Sequence, residues 1–225
     1  MNKIDYSVII PAHNSAKVIN QQINALAPQI ENNNLKGEII IVDNNSNDNL
    51  ENIIIECRRA VKFDIKLIRA HEGSGPAYAR NTGAEKSVGK ILLFCDSDDI
   101  VSENWLSLMY DACLDHIFVA GPTIPFTEDN YHDSNEPSKP LYAIINNERV
   151  VTSPGGNFAI HKDHWEYLEG MREDLKTAED QEIAIRSYLS GTPVYFVENA
   201  YIFYRQSDDF FCRSKKIFWL RCRCC

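Results

Sequence analysis

Short apolar runs alternate with helically spaced apolar positions through the first half of the chain. Ser7-Val8-Ile9-Ile10 reads as a strand ended by Pro11, and Val18, Ile19, Ile23 and Leu26 then recur at helical intervals over residues 16–30. Glu38 to Val42 is a second strand, followed by a helical face of Leu50, Ile53, Ile54 and Cys57. Ile65 to Ile68 is a third strand, and Pro76 is well placed for the first turn of a helix over residues 77–88. Ile91 to Cys95 is a fourth strand, and a run that short and that apolar fits a parallel sheet covered on both faces. The alternation predicts an α/β fold, a three-layer α/β/α sandwich with a mostly parallel central sheet.

The second half follows a different pattern. Phe118 to Gly121 is a further strand, whereas residues 122–140 are polar, proline-bearing and aperiodic, which predicts a long loop or flap suited to an active-site lid. Gly155-Gly156 turns into a strand that runs to Ile160, with a short helix over 161–168 and a longer one over 178–189. Residues 194–197 and 201–204 are strands expected to form a hairpin or an edge pair.

Composition narrows the function. The 225 residues suffice for a single domain with a substantial core, and the 44% hydrophobic and 24% charged contents are those of an ordinary globular protein. A net charge of -9 excludes nucleic acid as the main partner, because that binding needs a dense cationic face. The start of the chain lacks a secretory pattern and no apolar run approaches the ~20 residues that cross a bilayer, so a cytoplasmic location is expected. Cys57, Cys95 and Cys113 fall in apolar segments as reduced thiols, and no disulfide framework is expected.

Chemistry concentrates where the fourth strand ends in Asp96-Ser97-Asp98-Asp99. Ligands of parallel sheets bind at the carboxyl ends of strands, and ionised carboxylates crowded there are costly to bury unpaired. Mg²⁺ or Mn²⁺, completed by water and phosphate oxygens, resolves that cost. A solvated acidic turn capping the next helix is the competing reading.

Five stretches in order resemble the inverting, nucleotide-sugar-dependent family 2 glycosyltransferases, which have the GT-A fold. They are Ser7 through Asn14, Ile41 through Asp48, Gly75 through Gly83, Asp96 through Asp99, and Glu179-Asp180. The resemblance implies a glycosyltransferase domain over residues 1–210, with a nucleotide-binding half (1–115) and an acceptor-side half (116–210). It places Pro11, Ala12 and Asn14 under the nucleotide and Asp43 on the imide of uracil, where a turn aspartate is the alternative. It puts Arg80 near phosphate or carboxylate oxygens, the alternative being a surface ion pair with Glu85 or Glu72. Asp96 falls at the ribose or metal-bound water, Asp98 on the metal, Mn²⁺ or Mg²⁺, and Asp180 acts as general base. Thr177-x-x-Asp180 is also a helix-capping pattern. Gly155, Gly156, Asn157 and Glu179 are implied near the sugar or acceptor. Trp165 is either a sugar-stacking ring or a core residue.

The activity so implied is metal-assisted inverting transfer of one sugar, from a UDP-linked donor, to a hydroxyl of a glycan or lipid-linked glycan, in polysaccharide biosynthesis. A non-catalytic nucleotide-sugar or glycan-binding module is the alternative. Nucleotidyltransferases fit less well, since Pro11 to Ser15 lacks a basic glycine-rich loop. Residues 211–225 form a basic, Cys-rich tail with Phe218, Trp219 and Leu220. Peripheral contact with the inner face of the membrane is one reading of that tail, and a short docked or frayed terminus is the other.

Overall fold

Four parallel strands supply one half of the central sheet. In the computed structural model, which describes residues 4–32, 34–127 and 136–206, β1 (Tyr6–Ala12) pairs with β2 (Gly37–Asp43) on one side and β4 (Ile91–Cys95) on the other. β2 in turn pairs with β3 (Ile65–Arg69). On the far side of β4, β10 (Asn157–His161) runs antiparallel to both β4 and β6 (Phe118–Ala120). The two-residue β11 (Tyr195–Phe196) ends that edge parallel to β6, giving the order β11-β6-β10-β4-β1-β2-β3.

Successive strand residues point to opposite faces, and both faces are apolar. Val8, Ile10, Ile39 and Leu93 pack under α1 (Ile19–Glu31), α2 (Leu50–Ala60) and α4 (Trp105–Asp115). Ile9, Ile40, Phe94 and Phe158 pack under α3 (Pro76–Lys86), α5 (Lys162–Tyr167) and α6 (Glu179–Leu189). The result is the expected three-layer α/β/α sandwich. Gly83 sets the approach of α3: a Cβ there would lie 2.5 Å from Ile9 Cγ2, so glycine lets this helix sit directly on β1.

The second half differs from its sequence pattern in three places. β12 (Ile202–Arg205) does not pair with β11. It lies between β5 (Ile100–Val101) and β7 (Thr123–Phe126) in a separate three-stranded sheet. Apolar alternation marks a strand without naming its partner. β7 itself lies inside the expected loop, where Pro125 is tolerated because β7 is the last strand of its sheet among the described residues, with β12 as its ladder partner. Residues 128–135 of the expected lid, and the whole basic tail, lie outside the described residues. A hairpin follows, β8 (Leu141–Ile145) and β9 (Glu148–Thr152), turned by Asn146 and Asn147 at φ 51° and 66°. Left-handed Asn pairs of this kind make two-residue hairpin turns. Among the described residues, no helix is long and apolar enough to cross a membrane.

Candidate active site

The carboxyl ends of β1, β2 and β4 open into a cleft of about 1090 Å³. Its first wall is three loops held together by asparagines. Asn44 N–H donates to Ala12 O at 2.8 Å, while its side chain donates to Ala70 O (2.7 Å) and Gly73 O (3.0 Å) and accepts from Gly75 N–H (2.9 Å). One residue thus joins the end of β1, through its backbone, to the loop after β3, through its side chain. Asn14, at φ 53°, accepts from Asn47 N–H at 2.8 Å and receives support from the Ser46 hydroxyl, which accepts its N–H at 3.0 Å. Pro11, Ala12 and Asn14 line the cleft. Asp43 is 8% exposed, accepts Ser46 N–H at 2.9 Å, and is not among the lining residues, which here are Asn44 and Asn45. Its visible role is the turn, with one carboxylate oxygen closing the loop.

The floor is the acidic turn. Gln22 of α1, fully buried, donates to Asp96 O (3.1 Å) and accepts Val101 N–H (2.9 Å), so it spans the turn from beneath. From the other side Arg205 of β12 donates its backbone N–H to Asp99 Oδ1 (3.0 Å) and its Nε–H to Asp98 O (2.8 Å). Asp99 is 1% exposed, and among the described residues its Oδ2 has no hydrogen-bond partner. Burial first, and then the charge of Asp96, push the carboxyl of Asp98 up; burial, Asp96 and Asp98 together push Asp99 well up.

The opposite wall comes from the second half. Gly155 and Gly156 lead into β10, and a Cβ on Gly156 would stand 2.5 Å from Asp96 Oδ2. α6 brings Glu179 and Asp180 to the cleft from its first turn. The capping reading of Thr177 and Asp180 is not what forms: the helix starts after Ala178 at φ 64° with no side-chain cap, and Asp180 Oδ1 accepts the adjacent Gln181 N–H at 2.8 Å. Burial raises the Asp180 carboxyl above its usual range, and Glu179 adds to this; the Gln181 N–H and Arg80 oppose it.

Arg80 connects the two walls. It is 3% exposed, donates to Asp96 Oδ1 at 2.7 Å and to Glu179 Oε1 at 3.1 Å, and makes no surface pair; Glu85 instead meets Lys86. Burial pulls its pKa down, but Asp96, Glu179 and Asp180 outweigh that and hold the guanidinium above its usual value.

Packing turns two of the expected side chains away from the cleft. Trp165 is 4% exposed and stacks on Phe94 with centroids 4.9 Å apart, which makes it core. Asn157 is fully buried, where it accepts from Trp105 Nε1–H (2.7 Å) and donates to Pro122 O (2.7 Å) and Ala200 O (2.9 Å), so it braces the two sheets instead of facing the cleft. Gln22, Asn44, Tyr204 and Arg205 are site residues that sequence reasoning missed. The position of Asn44 directly after a strand was the only local signal for any of them.

The donor set suits a hard divalent cation. Among the described residues no three His, Cys, Asp or Glu side chains form a ready-made cage. However, Asp99 is buried, where burial and the charges of Asp96 and Asp98 push its carboxyl well up, and its Oδ2 has no hydrogen-bond partner among the described residues. One or two carboxylates completed by phosphate oxygens and water is the set that Mg²⁺ takes.

Residues 7–168 match the sequence profile described as Glycosyl transferase family 2. The chain belongs to this family. Among curated family members, this glycosyltransferase family 2 chain is 26% identical over 211 residues to the poly(ribitol-phosphate) beta-N-acetylglucosaminyltransferase TarS of Staphylococcus aureus, covering 88% of the chain and 35% of TarS. It therefore spans about a third of the length of that relative. The crystal structure of S. aureus TarS 1-349 in complex with UDP-GlcNAc superposes with a TM-score of 0.73 at 22% identity, over 91% of this chain and 59% of that one. The mannosyltransferase PcManGT of Pyrobaculum calidifontis, in complex with GDP-Man and Mn²⁺, gives 0.70 at 19% identity, over 91% and 57%. At these identities the superpositions establish the GT-A fold.

Proposed function

We propose that the chain transfers a single sugar, with inversion, from a UDP-linked donor to a hydroxyl of a glycan or lipid-linked glycan acceptor. One observation supports the reading: the acidic turn and Asp180 line a single cleft, and the buried Arg80 binds Asp96 of that turn and Glu179 beside Asp180. That spacing of roles is what direct displacement requires. The acceptor oxygen attacks the anomeric carbon as its proton passes to Asp180, and the bond from that carbon to the diphosphate oxygen breaks, so the electron pair leaves with UDP. Asp98, with Asp96 and Asp99 beside it, would hold a divalent cation, Mn²⁺ or Mg²⁺, which when bound supplies Lewis-acid neutralisation of the leaving diphosphate. Pro11, Ala12 and Asn14 would carry the nucleoside. TarS, captured with UDP-GlcNAc, supports the UDP donor and a polyol-phosphate glycan among acceptors.

The test is calorimetric binding of UDP, GDP and CDP with Mn²⁺ and with chelator, followed by turnover of the matching nucleotide sugar. Metal-dependent binding of UDP is expected, and Asp98→Ala abolishes it. Asp180→Asn should lower turnover by ~10²–10⁴ while UDP still binds, the usual contribution of a general base. Loss of UDP binding in Asp180→Asn would overturn the role given to that residue.

A further inference from the structure

Glu179 sits beside the proposed base and is 7% exposed, and its carboxylate is turned to Arg80. Its Oε1 accepts from Arg80 Nη1 at 3.1 Å, while Nη2 of the same guanidinium reaches Asp96 Oδ1 at 2.7 Å. Arg80 comes from α3, Asp96 from the end of β4 and Glu179 from the first turn of α6. One buried cation therefore fastens the nucleotide side of the cleft to the helix that carries Asp180. Gly155 closes the arrangement: a Cβ there would lie 3.2 Å from Arg80 Nη2 and 3.4 Å from Asp180 Oδ2, so the guanidinium and the base share the same backbone neighbour.

Among the described residues, no side-chain cap fixes the start of α6. Its N-cap, Ala178, is left-handed and contributes no side-chain cap, and Thr177 is exposed. The Ser153 hydroxyl donates to Asp180 O at 3.1 Å, which holds the backbone but not the direction of the carboxylate. A helix start without a cap, carrying three acids in its first turn, is held by the cation that one of those acids grips.

We infer that Glu179 is a positioning residue: through Arg80 it sets the distance between the acidic turn at Asp96 and the base at Asp180, and does so without touching donor or acceptor. The inference rests on the proposed sugar transfer. In that transfer the turn holds the leaving diphosphate and Asp180 meets the incoming hydroxyl, so the separation of the two walls is the separation of leaving group and nucleophile. A guanidinium has the fork geometry to fix two carboxylates at once, which an ammonium lacks.

The experiment compares wild type, Glu179→Ala, Glu179→Gln, Arg80→Lys and the double variant Glu179→Ala/Arg80→Lys. Each is assayed for UDP binding with Mn²⁺ and for hydrolysis of UDP-GlcNAc, UDP-glucose and UDP-galactose, with water standing in for the acceptor. For the sugar that wild type hydrolyses, Glu179→Ala should lower kcat on the order of 10- to 100-fold, the cost of a reacting group misplaced by about an ångström. Its KM and UDP affinity should stay near wild type, and Glu179→Gln should recover most of kcat, because the amide oxygen still accepts from Arg80. The double variant should be little worse than its worse parent, because both changes break one link. An unchanged kcat in Glu179→Ala, or a rise in KM alone, overturns the positioning role and leaves the transfer reading standing. Equal loss in Glu179→Ala and Glu179→Gln overturns it too. A folded wild type that neither binds UDP nor hydrolyses any donor overturns the transfer reading itself, and this inference with it.

Discussion

Asp180 shows how one side chain is tuned by surroundings that oppose one another. Burial and the neighbouring Glu179 favour its neutral form, whereas Arg80 and the Gln181 N–H favour the carboxylate. The balance leaves its pKa above the ordinary 3.8. The base proposed here must be ionised to accept a proton, so turnover should fall as pH drops through this raised value, and the acid limb of kcat against pH should lie above 3.8. The same limb should be absent from the residual rate of Asp180→Asn, which pH-rate profiles of donor hydrolysis would show directly. The sign for stability is the reverse: a raised carboxyl adds most to folding at low pH and loses that contribution as pH rises through its folded pKa. Gly156 makes a second residue-scale case. With Asp96 Oδ2 only 2.5 Å from where a Cβ would stand, Gly156→Ala should displace that carboxylate and weaken metal-dependent UDP binding by calorimetry, with thermal stability near wild type.

At the scale of elements, what could be read in advance depended on whether an element's partners lie nearby in sequence. The apolar runs of β1, β2, β3 and β4 and the acids ending β4 announced themselves, because a buried parallel strand must be apolar on both faces and its end must meet solvent or ligand. The asparagine pair turning the β8–β9 hairpin was equally legible in chemistry and was hidden by the prolines around it. The partners of Arg80 and Gln22 were not legible: they lie 99 and 16, and 74 and 79, residues away, and no local pattern encodes such pairings. Trp165 was ambiguous for a different reason, since aromatic spacing does not reveal whether a ring turns to the sheet or to the cleft. Its ring continues the stack of Phe94 on Phe158, whose centroids are 4.4 Å apart. Trp165→Ala should therefore cost about 3–5 kcal/mol in denaturant unfolding. UDP affinity at temperatures where the variant remains folded should be unchanged, which separates a core tryptophan from a sugar-stacking one.

Across the whole molecule, the cleft is assembled from both halves, and a ligand in it would bridge them. Residues from the loops after β1 and β2, from the acidic turn, from the Gly155–Gly156 turn and from α6 all line the same space. Binding that requires all of them stabilises only the fully folded state. UDP with Mn²⁺ at about 100 times its Kd should raise unfolding free energy by about 2.7 kcal/mol, and chelator should remove the gain. A gain that survives chelation would separate nucleotide binding from the acidic turn.

The grip of β12 on the acidic turn has a consequence in time. Asp98 and Asp99 leave the ribosome together with the strand that carries them, but the Arg205 groups that hold them are synthesised 107 and 106 residues later. During synthesis the parallel half can collapse around its own core while the turn at its edge still lacks its outer clasp. Contacts so distant along the chain are the slow ones to form, since loop closure precedes any gain from them. A nascent chain would thus present a folded sheet well before the acidic turn at its edge was held from both sides, so the cleft would take its final form only after Arg205 had emerged.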